Sequence, residues 1–197
     1  MADLDKRPAP RRGACFMWVS ARPREEETGR DGFEPERSRE SAGRLAHLAL
    51  IPALVALDLG TKAWARTGLR YAEPMEVLPF FDLTLGYNRG VAFGLLNDSG
   101  GLPVLLLTAA ISVMFGVWFW REPRPLTRLG LTFILGGALG NFFDRLSRAE
   151  VTDFLDLHVF GSHWPAFNLA DTAITYGGVL LIIDMLNAHK EARSSER

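Results

Sequence analysis

Residues 102–120 (LPVLLLTAAISVMFGVWFW) contain no charged side chain and end in Trp118, Phe119 and Trp120. A run of that length and apolarity matches the roughly 20 residues needed to cross a hydrocarbon core of about 30 Å. Three further windows have the same character: 45–65, 126–143 and 168–187. In lipid a spanning segment must satisfy its own backbone hydrogen bonds, so all four are expected to be helices. The terminal Trp-Phe-Trp reads as an interfacial aromatic belt, which argues against a soluble helical core. The fold class expected is therefore all-α and membrane-embedded, with four transmembrane helices.

The chain is 48% hydrophobic and 23% charged, but the two kinds of residue are segregated. Residues 1–43 are rich in Arg, Glu, Asp and Pro and read as a disordered cytoplasmic extension. Residues 44–188 read as a membrane domain and 189–197 as a cytoplasmic tail. Cys15 is the sole cysteine, which excludes an intrachain disulfide and a thiolate-rich metal site. Arg37, Arg39 and Arg44 precede the first span, Arg121, Arg124 and Arg128 crowd the link 121–128, and Lys190, Arg193 and Arg197 follow the fourth. Basic residues collect on the cytoplasmic side. Both termini and the 121–128 link are thus expected there, with the longer links, 66–101 and 144–166, on the opposite face.

Those outer links carry β-prone runs at 77–85, 91–96 and 151–160, the first two flanking the turn-forming Asn88-Arg89-Gly90. A small sheet at the outer membrane surface is expected. Ionisable groups at membrane depth are costly, so each is a site candidate. Asp58 and Lys62 are four apart on one face of the first span, as an ion pair would be; Asp58 is alternatively placed to hold a loop. At the end of the third span Gly137, Asn141, Asp144 and Arg145 share one side, the glycine allowing close helix approach. The fourth span opens with Asn168 and Asp171, spaced like an N-cap and its capping-box partner. The helix N-terminus there favours a negative charge on Asp171. A second carboxylate beside it would share a proton with it. Asp144, Asp153 and Asp156 are the candidates. Asp153 and Asp156 alternate along a strand, so one is expected inward and the other toward solvent. Asp153 is the partner expected, with Asp144 the alternative.

Five blocks occur in order: Asp58-Leu59-Gly60-Thr61-Lys62, Asn88-Arg89-Gly90-Val91-Ala92-Phe93, Gly136 through Arg145, Val151-Thr152-Asp153-Phe154, and Phe167-Asn168-Leu169-Ala170-Asp171. Over residues 45–187 they resemble the motifs of lipoprotein signal peptidase (signal peptidase II). The resemblance implies a multi-pass aspartyl endopeptidase of the bacterial inner membrane. Such an enzyme removes the signal peptide from diacylglyceryl-modified prolipoproteins just before the lipidated cysteine. On that pattern Asp153 and Asp171 match the catalytic pair. Asn88, Asn141, Arg145 and Asn168 match polar residues lining the site, and Asp58 and Asp144 match supporting carboxylates. It implies no metal or other cofactor, no nucleic-acid partner, a monomer in contact with membrane lipid, and an active site on the extracytoplasmic face. Thr152 stands where the family often has valine. A transporter is the chief rival, but it predicts polar residues spread through the membrane depth rather than gathered near one face. A non-enzymatic assembly factor is the other, and it predicts that Asp153 and Asp171 are replaceable by Asn.

Overall fold

A computed structural model describes residues 34–90 and 101–195, with side chains at 43–90 and 101–194. The expected extension 1–43 and the β-prone run 91–96 therefore fall largely or wholly outside the described residues. Among the described residues there are four long helices: α1 (Glu34–Gly68), α2 (Gly101–Arg121), α3 (Pro125–Arg148) and α4 (Leu169–Ser195). Each contains a stretch long and apolar enough to cross a membrane: Gly43–Gly68, Gly101–Arg121, Pro125–Arg148 and Leu169–Ser194. The same residues hold four strands, β1 (Met75–Leu78), β2 (Phe81–Asn88), β3 (Val151–Val159) and β4 (Ser162–His163), pairing antiparallel in the order β1-β2-β3-β4.

α3 is the central helix, with most of its surface buried, while α1, α2 and α4 keep broad apolar faces exposed. Its glycines explain why. A Cβ at Gly136 would fall 2.7 Å from the Cβ of Leu54 on α1. One at Gly140 would fall 2.5 Å from the Asp58 carboxylate, and one at Gly137 would collide with the Ala170 carbonyl and Ile174 of α4. Lipid supplies no hydrophobic drive between helices, so such close backbone approach is what holds them.

The run 77–85 forms a hairpin rather than the single strand its β propensity suggests. Pro79 cannot donate to a ladder, and the chain reverses at Pro79-Phe80 so that Leu78 pairs with Phe81. β2 then pairs with β3 in a register that sets Asp82 opposite Asp156 and Gly86 opposite Asp153, with a bulge between Leu83 and Gly86. Beneath the sheet, Leu85 and Phe154 pack on Ala65 of α1. The segment after β4 returns along β3: Phe154 and Leu155 donate their backbone N–H groups to the Phe167 carbonyl at 3.0 and 2.9 Å, and the Phe167 N–H returns to Leu155 at 3.0 Å. This stitch seats the start of α4 beside Asp153.

Candidate active site

Asp144 anchors the strand. Its Oδ2 accepts the Thr152 backbone N–H at 2.8 Å, and its Oδ1 accepts from Arg66 at 3.1 Å. The same arginine donates to the Thr152 hydroxyl at 2.9 Å. With β3 so held, the next residue, Asp153, turns into the helix bundle and is 5% exposed. On α4, Asn168 and Asp171 form a reciprocal cap. Asp171 N–H donates to Asn168 Oδ1 at 3.0 Å, and Asn168 N–H donates to Asp171 Oδ2 at 3.2 Å. Orphan N–H groups at a helix start need such acceptors, which is why this sequence begins a helix here.

The two aspartates are joined through amides. Asn168 Nδ2 donates to Asp153 Oδ1 at 2.7 Å and to Asn141 Oδ1 at 3.2 Å. Asn141 Nδ2 donates to Asp171 Oδ1 at 2.8 Å. Behind them, Lys62 donates to Asn141 Oδ1 and to Asp58 Oδ2, both at 2.7 Å, and Asp58 Oδ1 accepts the Ala170 backbone N–H at 2.9 Å. Asn88 donates to Asp153 from β2 and uses its own Oδ1 to accept the Gly90 N–H at 3.0 Å.

A cleft of about 300 Å³ opens over this network, lined by Asn88, Asn141, Arg145, Asp153, Phe167 and Asp171 among others. Arg145 donates to the Gly90 carbonyl at 2.7 Å, and its buried Nε–H meets no partner among the described residues. Its charge acts on Asp171, Asp153 and Asp144. Burial is the main cause that lifts the Asp153 pKa, and the neighbouring Asp171 charge adds to it. Hydrogen bonds from Asn168 and Asn88 and the Lys62 charge oppose the rise without cancelling it, leaving a value of about 7. A carboxyl that keeps its proton to neutral pH can donate to a carbonyl oxygen as well as accept from a donor.

Of the residues singled out from sequence, Asn88, Asn141, Arg145, Asp153, Asn168 and Asp171 meet at this network. Asp58, Asp144 and Gly137 stand behind it. The first two hold backbone N–H groups next to Asp171 and Asp153, and Gly137 lets α3 touch α4 beside Asp171. Asp156 is buried rather than solvent-facing, because Thr84 (3.5 Å) and His163 (3.0 Å) close over it, away from the cleft. Lys62 was legible only as the ion-pair partner of Asp58; its bond to Asn141 crosses 79 positions and leaves no trace in helical spacing. The walls contributed by Trp164, Phe167, Ile174 and Thr175 carry no chemical signature that sequence reading would catch. Among the described residues no group of three or more His, Cys, Asp or Glu side chains is arranged to hold a metal ion.

The family model described as signal peptidase (SPase) II, Peptidase_A8, matches residues 50–187, a stretch that contains every residue of this network. The chain belongs to the signal peptidase II family. It is 46% identical over 161 residues to the lipoprotein signal peptidase of Burkholderia thailandensis, covering 79% of this chain and 97% of that one. To the lipoprotein signal peptidase of Acinetobacter baumannii it is 41% identical over 152 residues, covering 75% and 86%. A solved structure described as a bacterial membrane enzyme determined by the in meso method at 2.3 Å superposes with a TM-score of 0.68 at 30% identity, over 74% of this chain and 90% of that one. This signal peptidase II is thus a multi-pass bacterial membrane protein and an aspartic peptidase of family A8.

Proposed function

We propose that Asp153 and Asp171 are the catalytic pair of this signal peptidase II, cutting prolipoproteins immediately before a diacylglyceryl-modified cysteine. One observation carries the reading: Asn168 hydrogen-bonds both carboxyl groups at the floor of one cleft, while Asp153 holds its proton up to about 7. Asp171 accepts N–H bonds on both oxygens, an arrangement that suits the charged member of the pair. Asp153 is then the acid.

In this mechanism Asp171 takes a proton from water as its oxygen attacks the scissile carbonyl carbon, and Asp153 gives its proton to the carbonyl oxygen. The resulting gem-diol collapses. Asp171 passes its proton to the departing amine of the cysteine, and Asp153 recovers one from the diol. The products are a signal peptide ending in a carboxylic acid and a lipoprotein with a free amino terminus. Asn88 and Arg145, which line the cleft, grip the peptide backbone and the oxygen where charge develops, while Asn141 and Asn168 orient the two carboxyl groups. Asp58, Asp144 and Gly137 fix the backbone that carries the pair. The lipid chains remain in the bilayer against the exposed helix faces, so binding energy positions the cysteine without extracting it from the membrane.

The peptidase unit is residues 44–188, acting as a monomer in the inner membrane. Both termini face the cytoplasm and the cleft opens on the extracytoplasmic side. The distribution of arginine and lysine around the spans supports that orientation.

The test is cleavage of a diacylglyceryl-modified precursor by purified wild type, Asp153→Asn and Asp171→Asn in detergent. Each substitution is expected to lower kcat on the order of a thousandfold while the thermal transition persists, in keeping with the loss of a general acid or base. Full activity in either variant ends this assignment of the catalytic pair and transfers the partner role to Asp144.

A further inference from the structure

Lys62 is 0% exposed, yet the mechanism above gives it no part. If its task were only to neutralise Asp58, one bond would do, and Asp58 already holds the Ala170 N–H with its other oxygen. Lys62 instead makes a second bond of the same 2.7 Å length across to α3, onto the carbonyl oxygen of Asn141.

An ammonium has donors and no acceptor, whereas the two ends of an asparagine amide are alike in shape and opposite in character. The end of Asn141 that meets Lys62 must be oxygen. The end that meets Asp171 must then be NH2, and it is, at 2.8 Å. Reversed, the amide would set NH2 against the ammonium and oxygen against a carboxylate. Asn168 supports the same orientation with a longer bond of 3.2 Å, from an NH2 group it shares with Asp153. Asn168 is itself oriented by the Asp171 backbone N–H entering its oxygen. Two fixed donors, one ammonium and one backbone N–H, thus send their direction through two amides to two carboxyl groups. Burial keeps water from scrambling it.

We propose that Lys62 is a positioning residue of the peptidase, which by occupying the Asn141 carbonyl turns that side chain's N–H onto Asp171 and sets the direction of hydrogen bonding through the pair. The inference rests on the reading of Asp153 and Asp171 as the catalytic pair. The charged groups around that pair are Lys62 from α1 with Asp58 behind it, Arg145 from α3 with Asp144 behind it, and Asp171 from α4; β2 offers the neutral Asn88. Removing the ammonium removes one of the influences that lower the Asp153 pKa, so the alkaline limb of the rate profile moves to higher pH.

The experiment follows cleavage of a diacylglyceryl-modified precursor in detergent across the neutral pH range by Lys62→Met, Asn141→Leu and the two combined. Lys62→Met is expected to lower kcat roughly ten- to a hundredfold, as loss of a supporting-shell contact does, with KM within about twofold. The alkaline limb should rise, and the combined variant should lose no more than Asn141→Leu alone. Because Lys62→Met strands a buried Asp58 charge, Asp58→Asn/Lys62→Met provides a neutral pair with the same expected loss and shift. Additive losses, or an unmoved limb in a folded variant, overturn the proposal. Failure of both Lys62→Met and the neutral pair to fold also overturns it, since Lys62 is then a structural residue. Wild-type behaviour of Lys62→Met while Asp153→Asn and Asp171→Asn are inactive sinks the role of Lys62 alone; cleavage by those two sinks the catalytic pair.

Discussion

Two buried polar clusters occupy opposite ends of α3 and α4, and they treat a carboxylate in opposite ways. At the α2–α3 link, Glu122 is 7% exposed, and burial by itself would raise its pKa. The backbone N–H of Arg124 (3.1 Å), the indole N–H of Trp118 (2.9 Å) and the Arg124 guanidinium (3.1 Å) overcome that and hold it below the ordinary value. Asp184 of α4 meets Arg124 at 2.9 Å and accepts from the Thr127 hydroxyl, while Arg128 closes on the Glu122 carbonyl. Every acid there faces a guanidinium or a helix-anchoring donor, and the network shuts on itself. Asp153 shows as little surface but lies deeper in the protein; that burial and the neighbouring Asp171 charge outweigh its neutral amides and the Lys62 charge, and its pKa goes up. The lesson is that burial alone does not mark chemistry. An acid left short of positive partners beside an open cleft does.

The contrast can be tested at both ends. The largest expected effect is on the pH dependence of cleavage. With Asp153 as the acid, activity falls about tenfold for each pH unit above about 7, as the proton it needs is lost. A flat profile through that range would erase the distinction between the clusters. Next, Glu122→Gln should leave kcat and the alkaline limb unchanged per folded molecule but lower stability by roughly 1.5–3 kcal/mol, the range for hydrogen bonds to a charged group. Detergent melting curves alongside initial rates would show it, and a shifted limb would mean the two clusters communicate. The smallest change is Thr127→Val, which removes one hydroxyl from Asp184 and should cost about 1 kcal/mol in the same melts with no kinetic signature.

Asp153 also links pH to stability with a definite sign. Its pKa is higher in the folded protein than the ordinary 3.8, so the folded state binds the proton more tightly. The stabilisation is complete below 3.8 and is lost as pH rises through about 7.

Much of this was readable without coordinates because lipid makes the code sparse. Long apolar runs define the spans, and any acid or amide at their ends stands out, which is how Asp58, Asn141, Asp144, Asn168 and Asp171 declare themselves. Local rules served at the α4 cap, where Asn168 and Asp171 bond as their spacing predicts. They failed where the deciding contact is remote. The second bond of Lys62 depends on α1 meeting α3 at Gly140, and the burial of Asp156 on β4 folding back over it. The hairpin at Pro79-Phe80 was hidden for another reason. The proline signal was present, but the flanking run is uniformly β-prone.

The backbone stitch between Phe154-Leu155 and Phe167 has a consequence for how the molecule assembles. Asp153 and Asp171 belong to one continuous segment that doubles back on itself, so bringing them together closes a short loop whose entropic cost grows only slowly with length. Their meeting draws on contacts of short sequence separation, whereas α1 reaches the same centre from far upstream, through Asp58, Lys62 and Arg66.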